Sequence, residues 1–206
     1  MTVRQVIYLA SGNAHKVHEL PRLADAEQLP VEIRSAREVG GMPDVVEDTG
    51  TFEGNAGKKA AALLPLLPPE AWALADDSGI CVDALDGQPG VESAYFAGED
   101  GDDDANLAKL VRVMRDVPAD KRGAHYVCVL RLRATTGLDE LFTGTCDGML
   151  QVEPEGTGAF GYDPLFAPAG YGQTFGLLSP ETKQALSHRA KAWNALADWI
   201  RSQTVR

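Results

Sequence analysis

The chain has 206 residues, 44% of them apolar and 24% charged, a balance that suits one soluble globular domain with a sizeable core. The 30 acidic residues outweigh 19 basic ones to give a formal charge of −11, which argues against broad binding to nucleic acid or a membrane surface. No stretch approaches the roughly 20 consecutive apolar residues of a membrane helix, and the first ten residues lack a cleavage signal, so the expected location is the cytoplasm.

Val6–Leu9 predicts a strand, followed by the loop Ser11-Gly12-Asn13-Ala14-His15-Lys16 and a helix. Such a junction aims backbone N–H groups at whatever occupies its mouth and suits phosphate, with Lys16 adding a full charge. The spacing of a P-loop is absent. A plain N-cap by Ser11 or Asn13, with Lys16 in water, is the alternative. Val31–Arg34 predicts a second short strand. Glu47-Asp48-Thr49-Gly50 is an acidic turn ahead of an Ala, Lys and Leu-rich helix over 55–64 that ends at Pro65. It matters as a second source of carboxylates, because magnesium commonly takes one or two of them plus phosphate oxygens.

Apolar runs at 71–75 and 80–84 flank Ala75-Asp76-Asp77-Ser78-Gly79, which places both carboxylates at a turn between extended segments. Side by side they repel unless a cation or proton intervenes. A metal resolves this, and a carboxylate near it can take a proton from water. The competing reading is a polar turn with both acids solvated. Glu99–Asp104 lacks EF-hand spacing and reads as the acidic start of a helix with Leu107, Leu110, Val111 and Met114 on one face. Tyr126–Leu132 and Glu140–Thr145 predict strands joined through Thr136-Gly137. The three cysteines show no Cys-x-x-Cys spacing, and Cys81 and Cys128 lie in apolar runs as reduced core residues.

A glycine-rich stretch leads into Phe160-Gly161-Tyr162-Asp163-Pro164. An aromatic ring there can stack on a base and Asp163 can accept ring N–H groups, or the aromatics plug the core. Lys183 and Ser187-His188-Arg189 flank or open a last helix that carries Trp193, Leu196, Ala197 and Ile200 on one face. Arg189 offers a planar fork of donors for a keto oxygen or phosphate; a polar helix start is the plainer reading. Strands mixed with helices over a single domain, residues 1–206, predict an α/β or α+β class with a mixed sheet.

Assembled in this order over nearly the full length, these motifs resemble the Ham1-type family of pyrophosphatases that remove inosine and xanthosine triphosphates. The resemblance rests on Ala10–Lys16, Thr51-Phe52, Asn55-Ala56, Ala75–Gly79, Gly87–Ala94, Gly158–Pro164 and Ser187–Arg189. It implies an elongated two-lobed α/β fold around a central twisted mixed sheet, a substrate cleft between the lobes, a homodimer and magnesium as cofactor. It implies that Ser11, Gly12, Asn13 and Lys16 hold a triphosphate. Asp77 would be general base and metal ligand, with Glu47 and Asp76 near the metal, and Ser78 would contact substrate. Phe160, Gly161, Tyr162, Asp163, Lys183, His188 and Arg189 would enclose base and sugar.

The implied reaction is hydrolysis of ITP, XTP or dITP to the monophosphate and pyrophosphate. Two departures stand out: Gly176-Leu177 where members often carry Ala-Glu, and Gly54 where they often carry Glu. The rival readings are a triphosphatase releasing orthophosphate, for which no Asp-x-Asp motif is present, and a nucleotide-binding sensor that has lost catalysis.

Overall fold

The computed structural model describes residues 4–12, 14–98, 101–156 and 161–204, with 14–19 and 204 described by their backbone. In chain order the elements are β1 (Gln5–Leu9), α1 (Ala14–Ala26), β2 (Val31–Ser35), α2 (Phe52–Leu63), β3 (Trp72–Val82) and α3 (Asp103–Val113). Then come β4 (Gly123–Ala134), β5 (Asp139–Leu150), β6 (Phe166–Pro168), α4 (Pro180–Leu186) and α5 (His188–Thr204). One six-stranded sheet runs in the order β2-β1-β3-β4-β5-β6. β1 is parallel to both β2 and β3, whereas β6 is antiparallel to β5. β4 and β5 are neighbours linked across Thr135–Leu138, too short a span for a parallel crossover, so they pair as a hairpin. This is the expected α/β class with a mixed sheet.

The chain divides into two compact units, one formed by the stretches up to Asp77, Val129–Thr143 and from Ala192, the other by Ser78–Cys128 and Gly144–Lys191. In the first, Tyr8, Ala60, Leu63, Ala71, Ala73 and Ala75 belong to one buried cluster. In the second, Ile80, Leu110, Met114, Tyr126, Phe166 and Phe175 do.

The helices begin where the sequence supplies caps. Thr51 caps α2 by accepting from Gly54 N at 3.1 Å, and Asn55, Ala56, Ala60 and Leu63 form its buried face. Asp102 caps α3 by accepting from Ala105 N at 3.1 Å, with Asp103 and Asp104 in the first turn, where negative charge favours the helix dipole. Glu99 and Asp100 lie outside the described residues. In α5, Trp193, Leu196, Ala197 and Ile200 are buried as the periodicity predicts. The short α4 was not expected; Ser179 caps it through Thr182 N at 3.2 Å and Pro180 opens it.

Two expectations are corrected. Asp76–Gly79 is not a turn: β3 runs unbroken from Trp72 to Val82. The segment Gly90–Tyr95 lies directly on it, because Ser93 Oγ accepts from Ile80 N at 2.9 Å and donates to Gly90 O at 2.6 Å. A Cβ at Gly79 would sit 2.2 Å from Gly90 O, so this approach requires glycine and the strand needs no bend there. Cys81 is only half-buried, while Cys128 and Cys146 are buried and none of the three forms a disulfide.

Candidate active site

Asp77 is the centre of the first group of site residues. Its position on a central strand buries it to 8% exposure. Lys59 of α2 reaches it: Lys59 Nζ donates to Asp77 Oδ1 at 3.0 Å and to Glu47 Oε2 at 2.7 Å. Asp77 Oδ2 is buried with no hydrogen-bond partner among the described residues. Burial raises the Asp77 pKa to about 6 against the pull of Lys59, and the Glu47 and Asp76 carboxylates add to the rise. Burial disfavours the Lys59 ammonium, but Asp77, Glu47 and Asp76 outweigh it and hold its pKa above the ordinary value. The result is a carboxylate whose proton affinity matches near-neutral pH, the property of a general base.

Asp76 is the next strand residue, and strand alternation turns it from the face on which Asp77 meets Lys59. It remains within electrostatic reach of both. The loop carrying Glu47 is tied down from α2. Buried Asn55 accepts from Thr49 N at 3.2 Å and Thr49 Oγ1 at 2.7 Å, and Lys58 donates to Val46 O at 3.1 Å and pairs with Asp48. Gly54 fits the same arrangement, since a Cβ there would fall 2.3 Å from Thr49 Oγ1. Among the described residues no group of three or more His, Cys, Asp or Glu side chains could hold a metal by itself. Two carboxylates on one ammonium, one with a buried unpartnered oxygen, nonetheless fit a hard cation that completes its shell with phosphate and water.

The predicted strand–loop–helix junction is present: β1 ends at Leu9, Ala10 N donates to Leu74 O at 2.7 Å, and α1 begins at Ala14. Ser11 is half-buried and Gly12 exposed, with nothing within 4 Å of where its Cβ would be. The backbone of Lys16 lies in the first turn of α1, where free N–H groups favour an anion. Asn13 and the side chain of Lys16 lie outside the described residues. Ser78 is half-buried in β3.

The second unit holds the other group. Asp163 is 6% exposed; Lys183 donates to its Oδ2, and the Tyr126 hydroxyl donates to its Oδ1 at 3.3 Å. His188 lies stacked on the Tyr126 ring, centroids 4.7 Å apart and planes 7° from parallel. Ser187 ends α4 and caps α5 by accepting from Ala190 N at 3.1 Å, which sets His188 and Arg189 at a helix start, both half-buried. Tyr162 is where the plainer reading put it: its ring belongs to the core cluster and its hydroxyl donates to Ser93 O at 2.7 Å. Gly161 has a φ of 59°, in the left-handed region. Phe160 lies outside the described residues.

The loop bearing this motif is pinned at both ends. Arg122, 2% exposed, donates to Leu150 O at 3.0 Å, Gln151 O at 2.7 Å and Met114 O at 2.7 Å. Gly176 N donates to Asp163 O at 3.1 Å, and a Cβ on Gly176 would lie 2.4 Å from Glu155 O. Gly176 is therefore a close-approach position that supports the loop through backbone contact.

Sequence reasoning missed Lys59, Tyr126 and Ser93. Lys59 carried a usable signal: it lies four residues after Asn55, three after Ala56 and four before Leu63, a lysine on the buried face of α2. Tyr126 carried none, since its partners are 37 and more residues away.

A proton-accepting carboxylate beside an ammonium, a helix start of the kind that suits phosphate, and a polar, aromatic-backed group suited to a base are the parts of a nucleotide hydrolase. The chain belongs to the Ham1 family, whose family model matches residues 7–199. It is 53% identical over 199 residues to a dITP/XTP pyrophosphatase of Opitutus terrae, covering 95% of this chain and 98% of that protein. It is 42% identical to the dITP/XTP pyrophosphatase of Streptomyces coelicolor, covering 95% and 96%. The structure of the Staphylococcus aureus Ham1 protein superposes with a TM-score of 0.87 at 33% identity, over 97% of this chain and 100% of that one.

Proposed function

We propose that this chain hydrolyses non-standard purine nucleoside triphosphates, namely ITP, XTP and dITP, to the monophosphate and pyrophosphate, and so clears them from the nucleotide pool. The observation that carries this reading is Asp77: a buried carboxylate with one oxygen on Lys59 and the other without a hydrogen-bond partner among the described residues, in a chain that aligns over 95% of its length with a dITP/XTP pyrophosphatase.

Asp77 accepts a proton from a water whose oxygen bonds to the α-phosphorus. The bond from that phosphorus to its bridging oxygen breaks, and pyrophosphate leaves with the electron pair. Ser11, Gly12, Asn13, Lys16 and the first N–H groups of α1 hold the phosphates. Lys59 holds Asp77 and Glu47 together and favours the ionised form of Asp77. Magnesium, held by Asp77 and Glu47 with Asp76 adding negative field, would neutralise polyphosphate charge. Ser78 contacts substrate. On the base side, Phe160, Gly161, Tyr162, Asp163, Lys183, His188 and Arg189 enclose purine and sugar. A donor aimed at a 6-keto oxygen is left unpaired by the amino group of adenine, which disfavours ATP.

The same reading carries a homodimer in the cytoplasm. The family resemblance supports the first, and cysteines without disulfides suit a reducing compartment. A panel of nucleoside triphosphates with magnesium, scored separately for pyrophosphate and orthophosphate, tests the reaction. ITP, XTP and dITP should be turned over far faster than ATP with pyrophosphate released. Orthophosphate as the product, or no turnover, would sink it.

A further inference from the structure

Tyr126 is a buried side chain that the proposed chemistry does not use, yet it touches two groups that do. Its ring lies flat on the His188 imidazole, centroids 4.7 Å apart and planes 7° from parallel. Its hydroxyl donates to Asp163 Oδ1 at 3.3 Å, while Lys183 occupies the other carboxylate oxygen. The tyrosine is itself held in place. Phe166 meets it edge-on at 4.8 Å and 69°, Phe175 packs at 6.3 Å, and Phe175 N donates to Phe166 O at 2.8 Å. At 7% exposure, on the sheet strand β4, it cannot follow a ligand. Burial and the Asp163 carboxylate hold its phenol pKa well above the ordinary value, so the phenol keeps the proton it donates to Asp163.

We infer that Tyr126 is a positioning residue for base selection: its ring fixes the plane of His188 and its hydroxyl fixes the rotation of Asp163. This rests on the proposed purine triphosphate reading and deepens it. The two functions of the side chain are separable. A carboxylate pinned through both oxygens presents one fixed set of lone pairs, whereas one pinned through Lys183 alone can turn about its terminal torsion, which is broad and soft. An imidazole lying on a rigid ring presents one face and one plane. Without that ring the imidazole loses the flat surface on which it lies. Both losses fall on recognition of the base, and neither touches the Asp77, Glu47 and Lys59 cluster.

The test compares the native protein with Tyr126→Phe and Tyr126→Leu, using ITP and ATP with magnesium. Tyr126→Phe keeps the ring and removes one hydrogen bond to a carboxylate, so KM for ITP should rise by roughly 5-fold to 10-fold with kcat within about twofold. Tyr126→Leu also loses the stack, and its ITP-to-ATP ratio of kcat/KM should fall by at least about 30-fold. A second readout needs no turnover. The His188 ring proton resonance, assigned with His188→Gln, should move downfield in Tyr126→Leu as the ring current is lost, and stay in place in Tyr126→Phe.

An unchanged KM in Tyr126→Phe, or a loss that falls on kcat instead, overturns the inference. So does a His188 resonance indifferent to Tyr126→Leu. If the native protein itself fails to prefer ITP over ATP, the proposed function fails. The resonance arm then still decides whether Tyr126 holds His188. Should Tyr126→Leu not fold, Tyr126→Phe carries the kinetic test alone.

Discussion

Replacing Lys59 by methionine isolates the electrostatics of the site. The ammonium lies 3.0 Å from Asp77 Oδ1, with the two side chains 14% and 12% exposed, so water screens the pair weakly. Coulomb attraction at that distance with an effective dielectric of about 20 is roughly 5 kcal/mol, an upper bound; opposite charges this close move a carboxyl pKa by about 1–3 units in practice. Methionine keeps the length of the side chain and removes the charge. Asp77, already raised to about 6 by burial in spite of Lys59, should then titrate about 2 units higher, near pH 8. At pH 7 the ionised fraction would fall from about nine-tenths to about one-tenth.

The assay is a carbon-detected carboxyl titration of the metal-free protein, with the Asp77 signal assigned by Asp77→Asn. Stability should follow the same shift. A carboxyl whose folded pKa exceeds its unfolded value of 3.8 binds its proton more tightly when folded. Its contribution is fully present below about pH 4 and is lost as pH rises through the folded pKa, about 6, amounting to roughly 3 kcal/mol. In Lys59→Met the decline should continue to about pH 8. A midpoint within half a unit of the native one, or below it, would refute the account of Lys59 as the group that keeps Asp77 ionised.

Asp77→Asn should retain nucleotide binding and lose at least about 100-fold in ITP hydrolysis, the scale of a general base; near-normal turnover would remove Asp77 from that role. Adding magnesium to metal-free protein at pH 8 should raise the melting temperature of the native chain and have little effect on Asp77→Asn; equal shifts would mean that the cation binds elsewhere. Arg189→Ala should damage the ITP-to-ATP preference more than turnover of ITP, and an unchanged ratio of kcat/KM would dismiss it as a base-reading residue. In Gly176→Val the branched side chain meets Glu155 O and Pro164 Cα, 2.4 and 3.0 Å from the Cβ position. Overpacking of about 1–3 kcal/mol should lower the melting temperature by roughly 2–12 °C and raise KM through Asp163; a native melting curve would show that the loop does not depend on this approach.

How much of this was legible in the sequence depends on the range of the contacts involved. The strand–loop–helix start, the amphipathic face of α5 and the acidic cap of α3 are local patterns, and each lies where composition and spacing put it. The motif Gly87–Ala94 was visible only as part of a resemblance. Its structural role, a segment pressed on β3 through Ser93, depends on a hydrogen bond across 13 residues that no periodicity announces. Asp163 was legible as an acid near an aromatic. Lys183, 20 residues away, was legible as a residue of the same site but not as the partner of Asp163, and Tyr126, 37 residues away, was not legible as a site residue at all.

The misreading at Asp76–Gly79 has the same origin and points to function. Two adjacent acids read as a turn because burying them on a strand is unfavourable unless something offsets it. Here the offset comes from another element: Lys59 on the buried face of α2 meets Asp77, and Asn55 on that face anchors the loop that brings Glu47 to the same ammonium. Neither half is favourable alone. An acid pair within a central strand and a lysine on a buried helix face are each local violations of the pattern that builds the fold. They are mutually satisfied only by being together, and even then Asp77 Oδ2 has no hydrogen-bond partner among the described residues. Local rules are broken in this way where a site must keep unspent binding capacity for a ligand. The segment that defeats a turn reading is thus the segment on which the proposed cation and water chemistry rests.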